Sequence, residues 1–365
     1  MGQGLAGSLL AYCLLQKGCK IVVIDDANTE GVTQSNYRSS SSIAAGVINP
    51  ITGKRYVKSW RIDELLPEAR EMYQGIEKIL EIPIWQERVF IRTLQNVEDE
   101  NQWLLRSSYA DYAAYCNDKS TPSVLKGLKP TIKDFHAFAE IKQAAQVHVS
   151  ALVKHFRQHL MSQDCYFQDK FEYNDCILKE NAIFYKEYKA QKVIFCEGAK
   201  GVDNPYFKWL PYNLDKGELL IVKIPHFNLD NIFKHHISIV PLGDDLYWVG
   251  ATNDWHFKDD QPTEVNKQLI IKELESILKL PFEIIDHQAA IRPTVKDRRP
   301  FIGFHPDFEA VAIFNGFGTK GASLIPYWAK QFSDILLSNR IPSERRGDID
   351  KEVNIERYAK AREVV

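Results

Sequence analysis

Apolar residues recur along this chain with two different periods. Leu5, Leu9, Leu10 and Leu14 fall at helical spacing, and Lys17-Gly18 ends that run. Ile21-Val22-Val23-Ile24 is a β-branched run closed by Asp25, which predicts a buried strand. Residues 61–81 read as an amphipathic helix through Leu65, Leu66, Ala69, Met72, Ile76, Ile79 and Leu80. A strand over 88–94 follows, then a second helix over 97–115 rich in Trp, Leu and Tyr, whose aromatic residues are expected in the core. A strand over 135–141 leads to Gln146-Val147-His148-Val149, and Ser150 is a suitable N-cap for a helix ending near Ser162.

The second half is richer in strands. Tyr166 to Phe171, Ala182 to Tyr188 and Lys192 to Ala199 read as strands, the last an apolar run ending in glycine, as a central parallel strand does. From 215 to 291 the pattern alternates, with strands at Glu218 to Ile224, Ile237 to Pro241, Leu246 to Thr252 and Ile284 to Ile291 and one helix from Pro262 to Leu280. That stretch predicts an antiparallel sheet inserted into the first domain. A strand from Ala310 to Phe314 then feeds the glycine-rich loop Asn315 to Gly321, with a helix from near Pro326 to Ser338.

The two glycine loops carry the candidate chemistry. Gly2-Gln3-Gly4-Leu5-Ala6-Gly7 fits G-x-G-x-x-G ahead of a helix, with Asp25 at the spacing of a ribose partner. Gly2 permits the turn, Gly4 lets backbone approach a pyrophosphate, and Gly7 lets helix and sheet pack closely, so a dinucleotide cofactor is expected. A buried strand normally precedes this loop, whereas only Met1 does here. The pattern therefore predicts roughly ten apolar-rich residues upstream, about one strand with its lead-in. A long cofactor that touches both loops requires the two ends of the chain to converge.

Composition narrows the class. At 365 residues and 45% hydrophobic content, the chain is long enough for about two domains. A net charge of −2 gives no global field for nucleic acid or anionic membrane. The six cysteines show no C-x-x-C pair and suit buried reduced thiols, hence a cytoplasmic location. No apolar run reaches about 18 residues, and no leader pattern is present, so no transmembrane segment is expected. Adjacent residues such as His235-His236 rarely chelate together, and the His155/His159 pair lacks a matching acid motif, so no metal site is expected. No Ser-His-Asp or paired-carboxylate constellation stands out, and Arg55 reads equally as a substrate-facing residue or an exposed basic turn.

Taken in order, these motifs resemble the flavin-dependent amine and amino-acid oxidoreductases of the D-amino-acid oxidase superfamily, which includes glycine oxidase, sarcosine oxidase and D-amino-acid dehydrogenase. The resemblance rests on the first loop with Asp25, Ser41 to Pro50, Val193 to Ala199, Lys216-Gly217-Glu218, Val240-Pro241 with Val249 to Thr252, Ala290 to Pro293, Asp297 with Pro300 and Gly303, and Asn315 to Gly321 with Pro326. It implies an α/β plus antiparallel β fold: a discontinuous Rossmann-like FAD-binding domain over 1–60, 142–212 and 292–365, and a substrate-binding domain over 61–141 and 213–291.

The resemblance also implies roles. Gly2, Gly4, Leu5, Ala6 and Gly7 would hold the pyrophosphate of a noncovalent FAD, Asp25 the adenosine ribose, and Phe171 the adenine. Ser41, Ser42, Ala44, Ala45, Gly46 and Val47 would pass beside the ring system, Gly198 would lie near the pyrophosphate, and Gly316, Phe317, Gly318, Thr319 and Gly321 would border the flavin. Arg292 falls where relatives grip a substrate carboxylate, a task suited to a planar, bidentate guanidinium. Lys320 would hold charge on the reduced ring or be solvated. Ser238 stands where amino-acid-binding members often carry tyrosine, so the pocket is not copied from them. The implied reaction is hydride transfer from a carbon bearing nitrogen to flavin N5, on a small amine or amino acid (a D-amino acid, glycine or an N-alkyl glycine), with oxygen or another acceptor completing the cycle. Two alternatives stay open: an oxidase acting on a carboxymethylaminomethyl group of transfer-RNA wobble uridine, and a non-catalytic flavoprotein.

Overall fold

The computed structural model describes residues 1–27, 38–117, 125, 127–179, 182–338 and 342–362; the rest of the predicted domain ranges lies outside the described residues. Helix α1 (Leu5–Gln16) begins directly after Gly4 and ends at Lys17, with Gly18 at φ +73°. That left-handed conformation suits a residue without Cβ. β1 (Val23–Asp25) forms only the end of the predicted apolar run. The short α2 (Ser40–Ile43), β2 (Val47–Ile48), β3 (Ile51–Thr52) and β4 (Val57–Lys58) lead into α3 (Ile62–Leu80). α3 buries Ile62, Leu65, Leu66, Ala69, Met72, Tyr73 and Ile76, with Asp63 and Glu64 in its first turn and Lys78 in its last, complementing the helix dipole.

β5 (Trp85–Leu94) precedes α4 (Val97–Ser107), which stops well short of the predicted 115. The hydroxyls of Ser107 and Ser108 donate back to the Leu104 and Leu105 carbonyls, and a 3-10 turn at Ala110–Tyr112 redirects the chain. Trp103, Tyr112 and Tyr115 are buried as expected, while Tyr109 is exposed. β6 (Ala137–Val147) unites two stretches predicted apart; Gln143 at φ +56° and a register shift against β5 accommodate an irregularity within it. α5 (Val149–Ser162) is capped at His148 rather than Ser150. Then come β7 (Tyr166–Gln168), β8 (Ile177–Lys179), β9 (Ala182–Tyr185), β10 (Tyr188–Ala190) and β11 (Val193–Phe195), with β9 and β10 forming a hairpin where one strand was predicted.

The remaining elements are β12 (Asp215–Lys223), β13 (Ile232–Lys234), β14 (Ser238–Gly243), β15 (Leu246–Gly250), α6 (Glu264–Ile277), β16 (Glu283–Arg292), β17 (Phe301–Phe304), β18 (Val311–Asn315), α7 (Gly321–Leu337) and the short α8 (Pro342–Gly347) and α9 (Ala359–Arg362), besides 3-10 turns. An eight-stranded sheet runs in the order β16-β12-β15-β14-β13-β5-β6-β2. The strands of 215–291 expected to pair antiparallel, β12, β14, β15 and β16, do so, and the sheet they belong to is parallel only where β13 lies beside β5. β12 fixes α6 on its outer side: the fully buried Glu218 carboxylate accepts from Thr263 N at 2.7 Å and from Asn266 Nδ2 at 2.8 Å. β1 pairs with β7, and β11 with β18, both parallel. Met1 and Gly2 lie between these pairs: Met1 N donates to Ile194 O, Cys196 N to Met1 O, and Gly2 N to Ile24 O. All six cysteines are free.

The start of α7 corrects the expected boundary at Pro326. The helix begins at Gly321, with Pro326 inside it. Proline has no N–H to give the carbonyl four residues back, that of Ala322. Tyr73 of α3 replaces the missing donor, its hydroxyl giving a 2.8 Å hydrogen bond to Ala322 O. Tyr73 is fully buried, so burial also pushes its phenol pKa well above the usual value. Tyr73→Phe strands that carbonyl and is expected to cost about 1–3 kcal/mol, read as a lower urea midpoint. Adding Pro326→Ala restores a backbone donor and should recover part of the loss.

Candidate functional site

α1 and α7 lie side by side, and their N-terminal ends open into one cavity. A Cβ on Gly321 would approach Leu5 Cδ2 at 3.9 Å, which measures how closely the two glycine loops converge. The cavity encloses about 710 Å³ between these helix ends and the inner face of the large sheet. That volume is ample for a cofactor or an elongated ligand.

The first loop is shaped by missing side chains. Gly2 has φ +86°, and a Cβ on it would stand 2.6 Å from Cys196 O. A Cβ on Gly4 would meet Ser41 Oγ at 3.2 Å. Gly4 is the N-cap of α1 and contributes no side-chain cap, so N–H groups at the helix start are available to an anion. Leu5 N donates to Ser41 Oγ at 3.0 Å, which joins the loop to α2. Asp25 accepts from Gln3 N at 2.5 Å and from Ala27 N at 2.9 Å. Gln3 Oε1 is buried without a partner among the described residues, although its amide donates to Ser8 and Val153.

Most of the residues singled out in the sequence meet at this cavity. Gly2, Gly4, Leu5, Ala6 and Asp25 line one end, Ser41, Ala44, Ala45, Gly46 and Val47 one side, and Phe171 and Gly198 the region beyond the first loop. Phe317, Gly318, Thr319 and Gly321 bring in the second loop, and Arg292 the sheet. Gly7, Ser42, Gly316 and Lys320 stand outside the lining. Lys320 Nζ instead donates to Ser59 Oγ at 3.1 Å, and burial together with Arg298 and Arg299 lowers its pKa. Cys196 also lines the cavity; burial pushes its thiol up to about 11, leaving it unreactive.

The sheet supplies a nearly flat floor. Laterally paired residues share a face, so Leu219, Gly250, Ser238 and Lys234 form one row across β12, β15, β14 and β13. Gly217, Gly250, Ala290 and Ser238 keep its relief low. Trp248 stands two residues before Gly250 and donates Nε1–H to Ile43 O at 2.9 Å, fastening α2 to the sheet. Arg292 crosses the floor at one end. A Cβ on Gly217 would sit 1.8 Å from Arg292 Nη2, so the guanidinium needs a glycine beneath it. Its Nη1 donates to Asp215 Oδ2 at 2.6 Å and to Asn253 Oδ1 at 3.1 Å, and both Nη atoms reach Thr252 O at 3.2 Å. Burial raises the pKa of Asp215 while Arg292 opposes the rise. The Arg292 Nε–H has no acceptor among the described residues and lies beside the cavity.

Lys234, Trp248, Asp215 and Asn253 are parts of this site that the sequence did not single out. The histidine pair expected to hold nothing comes together differently from that reading: His235, His236 and Glu273 place one ligand atom each within 4.8 Å of one another. His235 Nδ1 contacts Thr93 Oγ1 at 2.7 Å, and none of the three lines the cavity.

Comparison with known proteins bears on this geometry. Residues 1–335 match the model of the family described as DAO, FAD dependent oxidoreductase. A glycine oxidase of Bacillus licheniformis is 30% identical over 135 residues, a match spanning 35% of this chain and 36% of that protein. The chain thus matches about a third of the length of that curated relative. Among solved structures, glycine oxidase from Bacillus cereus superposes with a TM-score of 0.75 at 18% identity, covering 93% of this chain and 98% of that one. Iminodiacetate oxidase from Chelativorans sp. BNC1 gives 0.71 at 18% identity, covering 92% and 94%. L-proline dehydrogenase from P. horikoshii gives 0.71 at 13%, covering 92% and 91%. At these identities the structural likeness establishes the fold.

The Trp248 bond tests how the floor holds α2. Trp248→Phe keeps the apolar wall but frees the Ile43 carbonyl, and amide exchange over residues 40–47 should accelerate roughly tenfold, the loss of about one net hydrogen bond. Unchanged exchange there would show that α2 is held by packing alone.

Proposed function

Because the chain belongs to the family of FAD-dependent oxidoreductases, we propose that it oxidises the C–N bond of a small amine or amino acid, such as glycine, an N-alkyl glycine or a D-amino acid. FAD is its noncovalent cofactor, and the residues present fit it: a helix start at which Gly4 supplies no side-chain cap, close approach secured at Gly2 and Gly4, and a buried Gln3 oxygen without a partner among the described residues. Gly2, Gly4, Leu5, Ala6 and Gly7 would hold its pyrophosphate, Asp25 its adenosine ribose, and Phe171 its adenine end, with Gly198 nearby. Ser41 to Val47 and Gly316 to Gly321 would flank the ring system from two sides. When bound, FAD supplies a two-electron acceptor that takes hydride from a carbon bearing nitrogen, leaving an imine for water to hydrolyse.

One observation carries the substrate reading: Arg292 lines the same cavity as both glycine loops, across a floor of small side chains. Its remaining N–H can grip a carboxylate and so orient the neighbouring carbon. Asp215, Asn253 and Thr252 O hold the guanidinium on its other side, so it is positioned before substrate arrives. The glycine oxidase and iminodiacetate oxidase structures with this fold support an amine as the substrate. The six free cysteines suit a cytoplasmic setting.

The test is anaerobic bleaching of the flavin-loaded protein by glycine, sarcosine, proline and D-amino acids. At least one should reduce the flavin, and readmitting air separates an oxidase from a dehydrogenase. Arg292→Ala should raise KM for that substrate by tenfold or more, a loss of about 1.4 kcal/mol or greater; Arg292→Lys should rescue little, since an ammonium lacks the planar fork. A full panel that leaves the flavin yellow would falsify this reading.

A further inference from the structure

The far end of the floor carries a second cation. Lys234 lines the cavity at the end of the row formed by Leu219, Gly250 and Ser238. Neither Gly250 nor Ser238 has bulk to screen it. Lys234 Nζ donates to His236 O at 2.6 Å. An ammonium has three N–H donors, and among the described residues no carboxylate lies within ion-pair distance of this one. Its lateral neighbour on β5 is Arg92, which donates to Gly53 O at 2.8 Å and lies 4.5 Å from the centre of the Tyr56 ring. Arg92 also has no ion-pair partner among the described residues.

The two ends of the cavity therefore differ in electrostatics. Arg292 is ion-paired with Asp215 at 2.6 Å, whereas Lys234 and Arg92 stand side by side with no ion-pair contact among the described residues, and Glu273 acts on Lys234 only from farther off. Desolvating a cation without a partner is costly. Burial, reinforced by Arg92 and opposed by the Glu273 carboxylate, pushes the Lys234 pKa down to about 8, so the amine remains mostly charged near neutrality. An anion entering from the cavity would relieve this strain, and nothing in the floor stands in its way.

We infer that Lys234 receives a second negative group of the substrate, so that the enzyme prefers amines carrying a carboxylate at each end over amines carrying one. The inference rests on reading the cavity as the amine site. β13 and β16 are separated by β14, β15 and β12, four strand spacings of about 4.8 Å, or roughly 19 Å between backbones. Two long side chains shorten that gap without closing it. The second carboxylate is thus carried on an arm several bonds long, longer than that of iminodiacetate.

The test uses matched pairs on the flavin-loaded enzyme: N-(ω-carboxyalkyl)glycines with two to five methylenes against N-alkylglycines of equal length. The acidic member should be favoured in kcat/KM by roughly ten- to hundredfold at the longer lengths, as a buried charge-assisted contact provides. Lys234→Gln should reduce that ratio at least tenfold, and Lys234→Arg should retain most of it. A turnover-independent readout is perturbation of the flavin spectrum by adipate and pimelate against hexanoate, with Lys234→Gln weakening the dicarboxylates selectively. If no amine bleaches the flavin, the proposed function fails, and this inference is then decided by the dicarboxylate titration alone. Equal kcat/KM within each pair, or an acid preference that survives Lys234→Gln, overturns it while leaving the proposed function standing. Without turnover, dicarboxylates that bind no better than hexanoate overturn it.

Discussion

Gly7 has room for a hydrogen and nothing larger: a Cβ there would stand 1.9 Å from the Gly2 carbonyl oxygen. That single steric limit lets α1 start immediately beyond the turn and lie against the Gly2 carbonyl, while Gly2 itself approaches the backbone of Cys196 and Glu197. It also sets the position of the helix start relative to β1 and β11, since Met1 and Gly2 bond to Ile194, Cys196 and Ile24. α7 packs on both α1 and α3, and its contact with α1 brings the two loops together. The cavity is what remains between them and the sheet.

Features of the site that depend on local backbone requirements were legible in the sequence. A glycine loop before a helix, an acid after an apolar strand, and an arginine before proline each show in a few consecutive residues, and Gly2, Gly4, Asp25 and Arg292 do share one cavity. The periodicity of α3 was equally plain, because its apolar stripe follows directly from helix geometry. Contacts across long separations were not legible. Trp248 reaches Ile43 over 205 positions, and Asp215 reaches Arg292 over 77. Lys234 gains its setting only from pairing with Ser238 and Arg92, which no local pattern announces. Lys320 sits in a glycine loop that fits the motif, yet its side chain turns to Ser59 because that hydroxyl lies behind the cavity wall.

The cavity combines three kinds of surface with different tasks. Backbone and glycine dominate the loop end, which suits phosphate, where donors at short range matter more than shape. Small side chains make up the floor, which suits a planar ring lying against it. Cations occupy the two edges of the floor, Arg292 ion-paired with Asp215 and Lys234 with no ion-pair contact among the described residues. On the proposed reading, orientation would come from the edges and affinity for a large planar group from the middle.

The Tyr73 hydroxyl and the Ala322 carbonyl are 249 positions apart, yet each needs the other once both are dry. The first turn of α7 therefore cannot be completed by its own residues, and its carbonyl must keep water until α3 docks. Joining such distant segments carries a large loop-closure entropy, which places this contact among the slow, late events of assembly. During synthesis, α3 leaves the ribosome long before its partner exists, and its apolar face, Leu65 to Ile76, waits for the C-terminal helix to cover it.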